Sequence, residues 1–168
     1  MDFVGIVFKN VTTLSSKGSF YEPLTHDIYD PETPDAATNN SNVIQMTLTE
    51  PCQVGKSIII KFEYETDDEA LGLNWVDASK TETNTPFMFT LCEDIYCRSL
   101  APMMDTKKIK ITYDAIVTVP STMSVYTSAD YFKHVTTGNN TAYYFQQHQM
   151  IAPNQIAIAI GELKESVM

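Results

Sequence analysis

From Lys108 to Val119 the chain alternates for twelve residues before Pro120 ends the run, and this pattern limits the fold more than any other stretch. Ile109, Ile111, Tyr113, Ala115, Val117 and Val119 share one side of an extended chain, whereas a helix would scatter them around its circumference. No segment of ten or more residues carries a 3.6-residue period, so the expected class is all-β. Further strands are expected at Phe3–Phe8, Val43–Thr49 and Ser57–Glu65. In the last of these, Ile58, Ile60, Phe62 and Tyr64 face inward, and Lys61, Glu63 and Glu65 face water, as in a sheet with one wet side. Met123–Thr127 and Ala142–Phe145 read as two strands flanking a turn at Gly138-Asn139-Asn140. Gln155–Ile160 is apolar on both faces and is expected to be central or covered. A twisted, mainly antiparallel β-sandwich or saddle-like sheet domain accommodates these elements.

At 168 residues the chain is the size of one domain, 1–168, and can bury roughly 70% of its unfolded surface. Pro23, Pro31 and Pro34 interrupt a Ser-, Thr- and Asn-rich stretch, which predicts a long surface loop over 15–42. The formal net charge of -10, from 21 acidic against 11 basic residues, disfavours a nucleic-acid partner, because phosphates would be repelled over most of the surface. No apolar run reaches the roughly 20 residues of a membrane-spanning helix. The three cysteines, Cys52, Cys92 and Cys97, form an odd set, and the Met1-Asp2-Phe3-Val4 start lacks the basic flank of a secretory signal. A cytoplasmic location and structural thiols are therefore expected. Cys92 and Cys97 would lie on different faces of an extended segment, and their spacing matches no common zinc pattern.

The chemistry-bearing stretch runs from Pro86 to Asp105. Phe87, Phe89 and Leu91 fall on one face of a strand, Met88, Thr90 and Cys92 on the other, and Glu93 continues the first face. An unpaired carboxylate costs several kcal/mol to bury, so the strand should end at a cleft or at the surface. A turn with Arg98 follows, closed by Pro102 and Asp105. Trp75, the single tryptophan, is expected to pack in the core against this strand.

This stretch resembles the N-terminal domain of the M1 family of zinc aminopeptidases, most closely its leukotriene A4 hydrolase branch. That family carries Gln-x-Glu or Gln-x-Gln on an aromatic strand, then a small residue and Arg, then Pro-Cys-x-Asp-x-Pro. Glu93, Arg98, Pro102 and Asp105 match this pattern. Leu91 stands in place of the first Gln, Met103 of the Cys and Lys107 of the second Pro. The resemblance runs from about Ile58 to Leu163 and implies a saddle-like β domain. It also implies that Glu93 helps bind a substrate's free amine, which a carboxylate does by charge-assisted hydrogen bonding. Arg98 and Asp105 are expected to be structural, as an ion pair bracketing the turn.

Zinc aminopeptidase chemistry needs His-Glu-x-x-His on one helix, and this sequence has no such segment. His26, His134 and His148 are far apart and none is paired at helical spacing. No metal ligand set, cofactor or catalytic residue is therefore expected. The expected function is that of a non-catalytic, stand-alone protein-binding or structural subunit of an assembly, with Phe87 and Leu91 as candidate interface residues and peptide binding weak. The alternative is an N-terminal fragment of a zinc aminopeptidase whose catalytic domain is missing or sits on a separate chain.

Overall fold

The computed structural model describes residues 1–14, 21–29, 42–48, 50–68, 70–93 and 95–163. The strands among the described residues are β1 (Asp2–Phe3), β2 (Ile6–Leu14), β3 (Tyr21–Pro23), β4 (Thr25–Tyr29), β5 (Asn42–Thr47), β6 (Ile60–Thr66), β7 (Leu73–Val76), β8 (Phe87–Thr90), β9 (Ile111–Pro120), β10 (Ser124–Thr127), β11 (Asp130–Thr137), β12 (Asn140–Ile151) and β13 (Ile158–Gly161). Helical structure among the described residues is confined to short 3-10 turns at Ala78–Lys80, Tyr96–Ser99 and Pro153–Gln155. The domain is all-β, and every paired strand runs antiparallel.

Two layered units account for the fold. In the first, the sheets β1-β5-β4 and β3-β2-β6 enclose Phe3, Ile6, Val11, Leu24 and Ile44. In the second, the sheets β10-β13-β8-β7 and β11-β12-β9 enclose Val119, Val125, Ala129 and Phe145. The alternation that begins at Lys108 supplies Tyr113, Ala115, Val117 and Val119 to this core. The strand itself starts at Ile111, and Ile109 is partly exposed before it. As its two apolar faces suggest, β13 is internal, between β10 and β8.

Several elements depart from the sequence reading. The Phe3–Phe8 run is divided: Gly5 takes φ +60, a left-handed value that favours glycine, so β1 enters one sheet and β2 the facing one. The stretch 15–42 is not a loop throughout, because β3 and β4 lie within it and pair with β2 and β5; its residues 15–20 and 30–41 lie outside the described residues. Ile58 and Ile59 are exposed ahead of β6, which begins at Ile60. The turn at Gly138 closes a hairpin between β11 and β12, not between the two strands expected. β11 is exposed along its whole length, so no buried face imposed an apolar period on it. Trp75 is not in the core: it lies opposite Met88 on β7, which is an edge strand among the described residues, and is 67% exposed.

Candidate functional site at the end of strand β8

Strand β8 presents different chemistry on its two faces. Met88 is buried on one face, while Phe87 and Phe89 stack on the opposite face with ring centroids 5.7 Å apart. The pairing of β7 with β8 puts Val76 beside Phe87 and Asn74 beside Phe89. The Leu91 N–H donates to Gly72 O at 2.8 Å, which extends this pairing past the end of β8. Leu91 is 49% exposed there. At the other end of β8, about 13 Å away by strand rise, Phe87 borders an open groove of about 400 Å³ together with Val76, Thr85, Glu82 and Glu162.

Beyond Leu91 the chain turns sharply. Cys92 and Cys97, expected as separate structural thiols, form a disulfide across this turn, with their Cα atoms 4.5 Å apart. Opposite faces separate two side chains only while the backbone stays extended, and the turn at Glu93 removes that condition. Glu93 is exposed at the start of the loop so closed, and its carboxylate has no partner among the described residues.

The far side of the turn is held from below. Arg98 N–H donates to Asp105 Oδ2 at 3.0 Å, and Arg98 Nε lies 3.5 Å from the same oxygen. The guanidinium also reaches Asp105 O at 3.4 Å. Both residues are buried, at 8% and 4% exposure, so Arg98 serves Asp105 and leaves Glu93 to solvent. Buried Pro102 lies between them in sequence. Cys97 and Cys92 pack on Ile156, with Leu100, Met103 and Ile111 around them. Gly72 N donates to Ser99 Oγ at 2.7 Å, and Ser99 Oγ donates to Tyr96 O at 2.6 Å, so the 3-10 turn lies directly on the backbone that leads into β7. Sequence reasoning missed Gly72, since a lone glycine before a strand says nothing of what will sit above it.

Phe87 thus lies on β8, Leu91 on its continuation and Glu93 in the turn that follows, whereas Arg98, Pro102 and Asp105 are buried on the far side of that turn. An exposed carboxylate beside an exposed leucine can accept hydrogen bonds from a cationic group while an apolar surface covers its neighbour. Zinc ligands of the aminopeptidase type are not assembled: His26 Nδ1 contacts Leu24 O, His134 Nδ1 contacts Tyr131 Oη, and no group of three His, Cys, Asp or Glu among the described residues could hold a metal ion.

Residues 1–152 match the peptidase M1 N-terminal domain. Among curated proteins, the chain is 27% identical to leukotriene A-4 hydrolase of Xenopus laevis over 125 residues, covering 72% of this chain and 20% of that protein. It is 31% identical to leucine aminopeptidase 2 of Neurospora crassa over 127 residues, covering 74% and 19% respectively. The chain thus spans about a fifth of the length of these relatives. Among solved structures, native yeast LTA4 hydrolase superposes with a TM-score of 0.76 at 24% identity, over 99% of this chain and 23% of that one. An M1 zinc metallopeptidase from Deinococcus radiodurans superposes with a TM-score of 0.70 at 17% identity, over 95% and 33%. The catalytic zinc domain is absent from this sequence. By the match over residues 1–152 and the fold that carries it, the chain belongs to the peptidase M1 N-terminal domain family.

Proposed function

We propose that this chain acts as a non-catalytic protein-binding or structural subunit, and that its partner seats on the face bearing Phe87, Leu91 and Glu93. The observation that carries this reading is Leu91, half-exposed at the end of a strand whose continuation is fastened on both flanks. An exposed apolar side chain two residues from an exposed carboxylate suits a protein surface that supplies an apolar contact and a cation. Leucine also removes the hydrogen-bonding amide that the family has at this position, which favours a protein contact over recognition of a peptide amine.

Glu93 favours a second reading. Its carboxylate is exposed and has no partner among the described residues, so it can still receive an amine if a zinc-bearing domain lies opposite. On that reading the chain is the N-terminal portion of an aminopeptidase. Size-exclusion chromatography with light scattering, on the chain alone and after incubation with native extract, tests the first reading. A complex formed by the native chain and lost in Leu91→Asp supports it. A monomer that recovers no partner, with a Leu91→Asp variant that behaves identically, overturns it. An in-frame His-Glu-x-x-His in the coding sequence after Met168 would establish the second.

A further inference from the structure

We propose that two copies of this chain associate through β11, the two β11 strands pairing antiparallel about a two-fold axis at Val135. This goes beyond the docking reading and does not depend on it. β11 is an outer strand of the sheet β11-β12-β9 among the described residues, and all of its residues are exposed. An edge of this kind carries backbone donors and acceptors that another strand can take up. It is also held in position. Gly138 at φ +60 sets the two-residue turn into β12, and Ser121 N–H fastens the tip by donating to Asn139 O at 2.8 Å.

The register of this hairpin decides which backbone groups are open. Across a two-residue turn the flanking pair Thr137 and Asn140 exchanges both bonds, and the pattern then alternates, so Val135 and Lys133 also bond to β12. His134 and Thr136 therefore turn their N–H and C=O groups to the open side. The approach of Thr136 Oγ1 to Thr141 Oγ1, at 3.0 Å, suits side chains of a non-hydrogen-bonded pair. The irregularity between Tyr131 and Lys133 interrupts the edge further back, which confines regular pairing to the end of β11 nearest the turn.

That end of the strand matches itself. With Val135 opposite the partner's Val135, His134 lies opposite the partner's Thr136, and each such pair presents its open backbone groups to the other. Val135 is 45% exposed, so the contact covers an apolar side chain. Lys133 then faces the partner's Thr137, whereas an axis at Lys133 would set two lysines directly opposite, which is unfavourable. Charge selects the same face in a chain of net charge -10, because no Asp or Glu occurs between Asp130 and Glu162. Two such hairpins meet without opposing carboxylates. Lys133 is the only Lys or Arg in that interval, so little there draws an acidic or a basic partner in place of a second copy. A contact this short belongs with the small, weak interfaces, and the dimer forms reversibly with concentration.

Sedimentation velocity of the purified chain over a concentration series up to about 1 mM, with amide exchange at both ends of the series, tests the pairing. The expected result is a monomer–dimer equilibrium in which the His134 and Thr136 amides gain protection as concentration rises, while Val135, already bonded to β12, is unchanged. Val135→Lys should weaken the dimer about tenfold or more by setting like charges on the axis, and Leu91→Asp should leave it as it is. Cys52 is free and exposed, so the covalent test uses a Cys52→Ser chain. In that chain Val135→Cys should give a disulfide-linked dimer on oxidation, because Cα atoms of such a pair lie about 4.5 Å apart. A chain that is monomeric at every concentration, a dimer indifferent to Val135→Lys, a dimer lost in Leu91→Asp, or protection at Val135 in place of His134 and Thr136 would each overturn the proposal.

Discussion

Tyr64 Oη donates a 2.8 Å hydrogen bond to the carbonyl oxygen of Leu100, tying β6 of the first unit to the turn that carries Arg98. Burial pushes the Tyr64 phenol above its ordinary value near 10. The folded state therefore keeps this proton to higher pH than the unfolded chain does. The resulting stability is present below about pH 10 and is lost as pH rises through the folded-state value.

Tyr64→Phe should destabilise the chain by about 1 kcal/mol at neutral pH, the net worth of one neutral hydrogen bond. The native chain should also lose more stability than this variant between about pH 9 and about pH 11. Urea unfolding of both proteins across that range measures the difference. Parallel curves would show that Tyr64 is not the group responsible.

Gly72 allows no side chain. A Cβ at this position would collide with Tyr96 O and lie 2.6 Å from Ser99 Oγ, both parts of the turn above it. Gly72→Ala should cost about 1–3 kcal/mol, in the range of overpacked sites, and should loosen the turn at Tyr96. A variant with native melting temperature and native amide exchange at Tyr96 would contradict the close approach.

Phe89 and Phe145 sit in different surroundings. Phe145 is 3% exposed in the second core, and Phe145→Ala should cost about 3–5 kcal/mol. Phe89 is half-buried on the outer face of β8, so Phe89→Ala should cost less, about 1–3 kcal/mol. Denaturant midpoints of the two variants decide the register, and a larger loss at Phe89 would reverse the inner and outer faces of β8.

Metal analysis of the purified chain should find no tightly held zinc, and no aminoacyl amide should be hydrolysed, because the described histidines are not brought together. One zinc per chain, removed by a chelator together with peptidase activity, would show a ligand set that neither the sequence pattern nor the described residues contain.

Residue pattern is enough to specify the class and much of the second unit. Period-two alternation marks any strand with one buried face, which is why Ile111–Pro120, the inner face of β6 and the internal position of β13 were legible. The Arg98-to-Asp105 spacing, with its resemblance to the aminopeptidase domain, marks the turn. Tertiary structure alone decided what alternation cannot encode. β11 has no buried face, so it left no period, and Trp75 lies on a strand whose edge position among the described residues is a property of sheet order. Gly5 divides one apolar run between two sheets through a single left-handed residue, a choice that spacing does not record. The same holds at the site: the Cys92–Cys97 bond, the Gly72 contact with the turn above it and the exposure of Glu93 all depend on where the chain bends after Leu91. That bend is fixed by long-range contacts with Gly72, Pro153 and Tyr64, which lie far from it in sequence and meet only when the sheets are assembled.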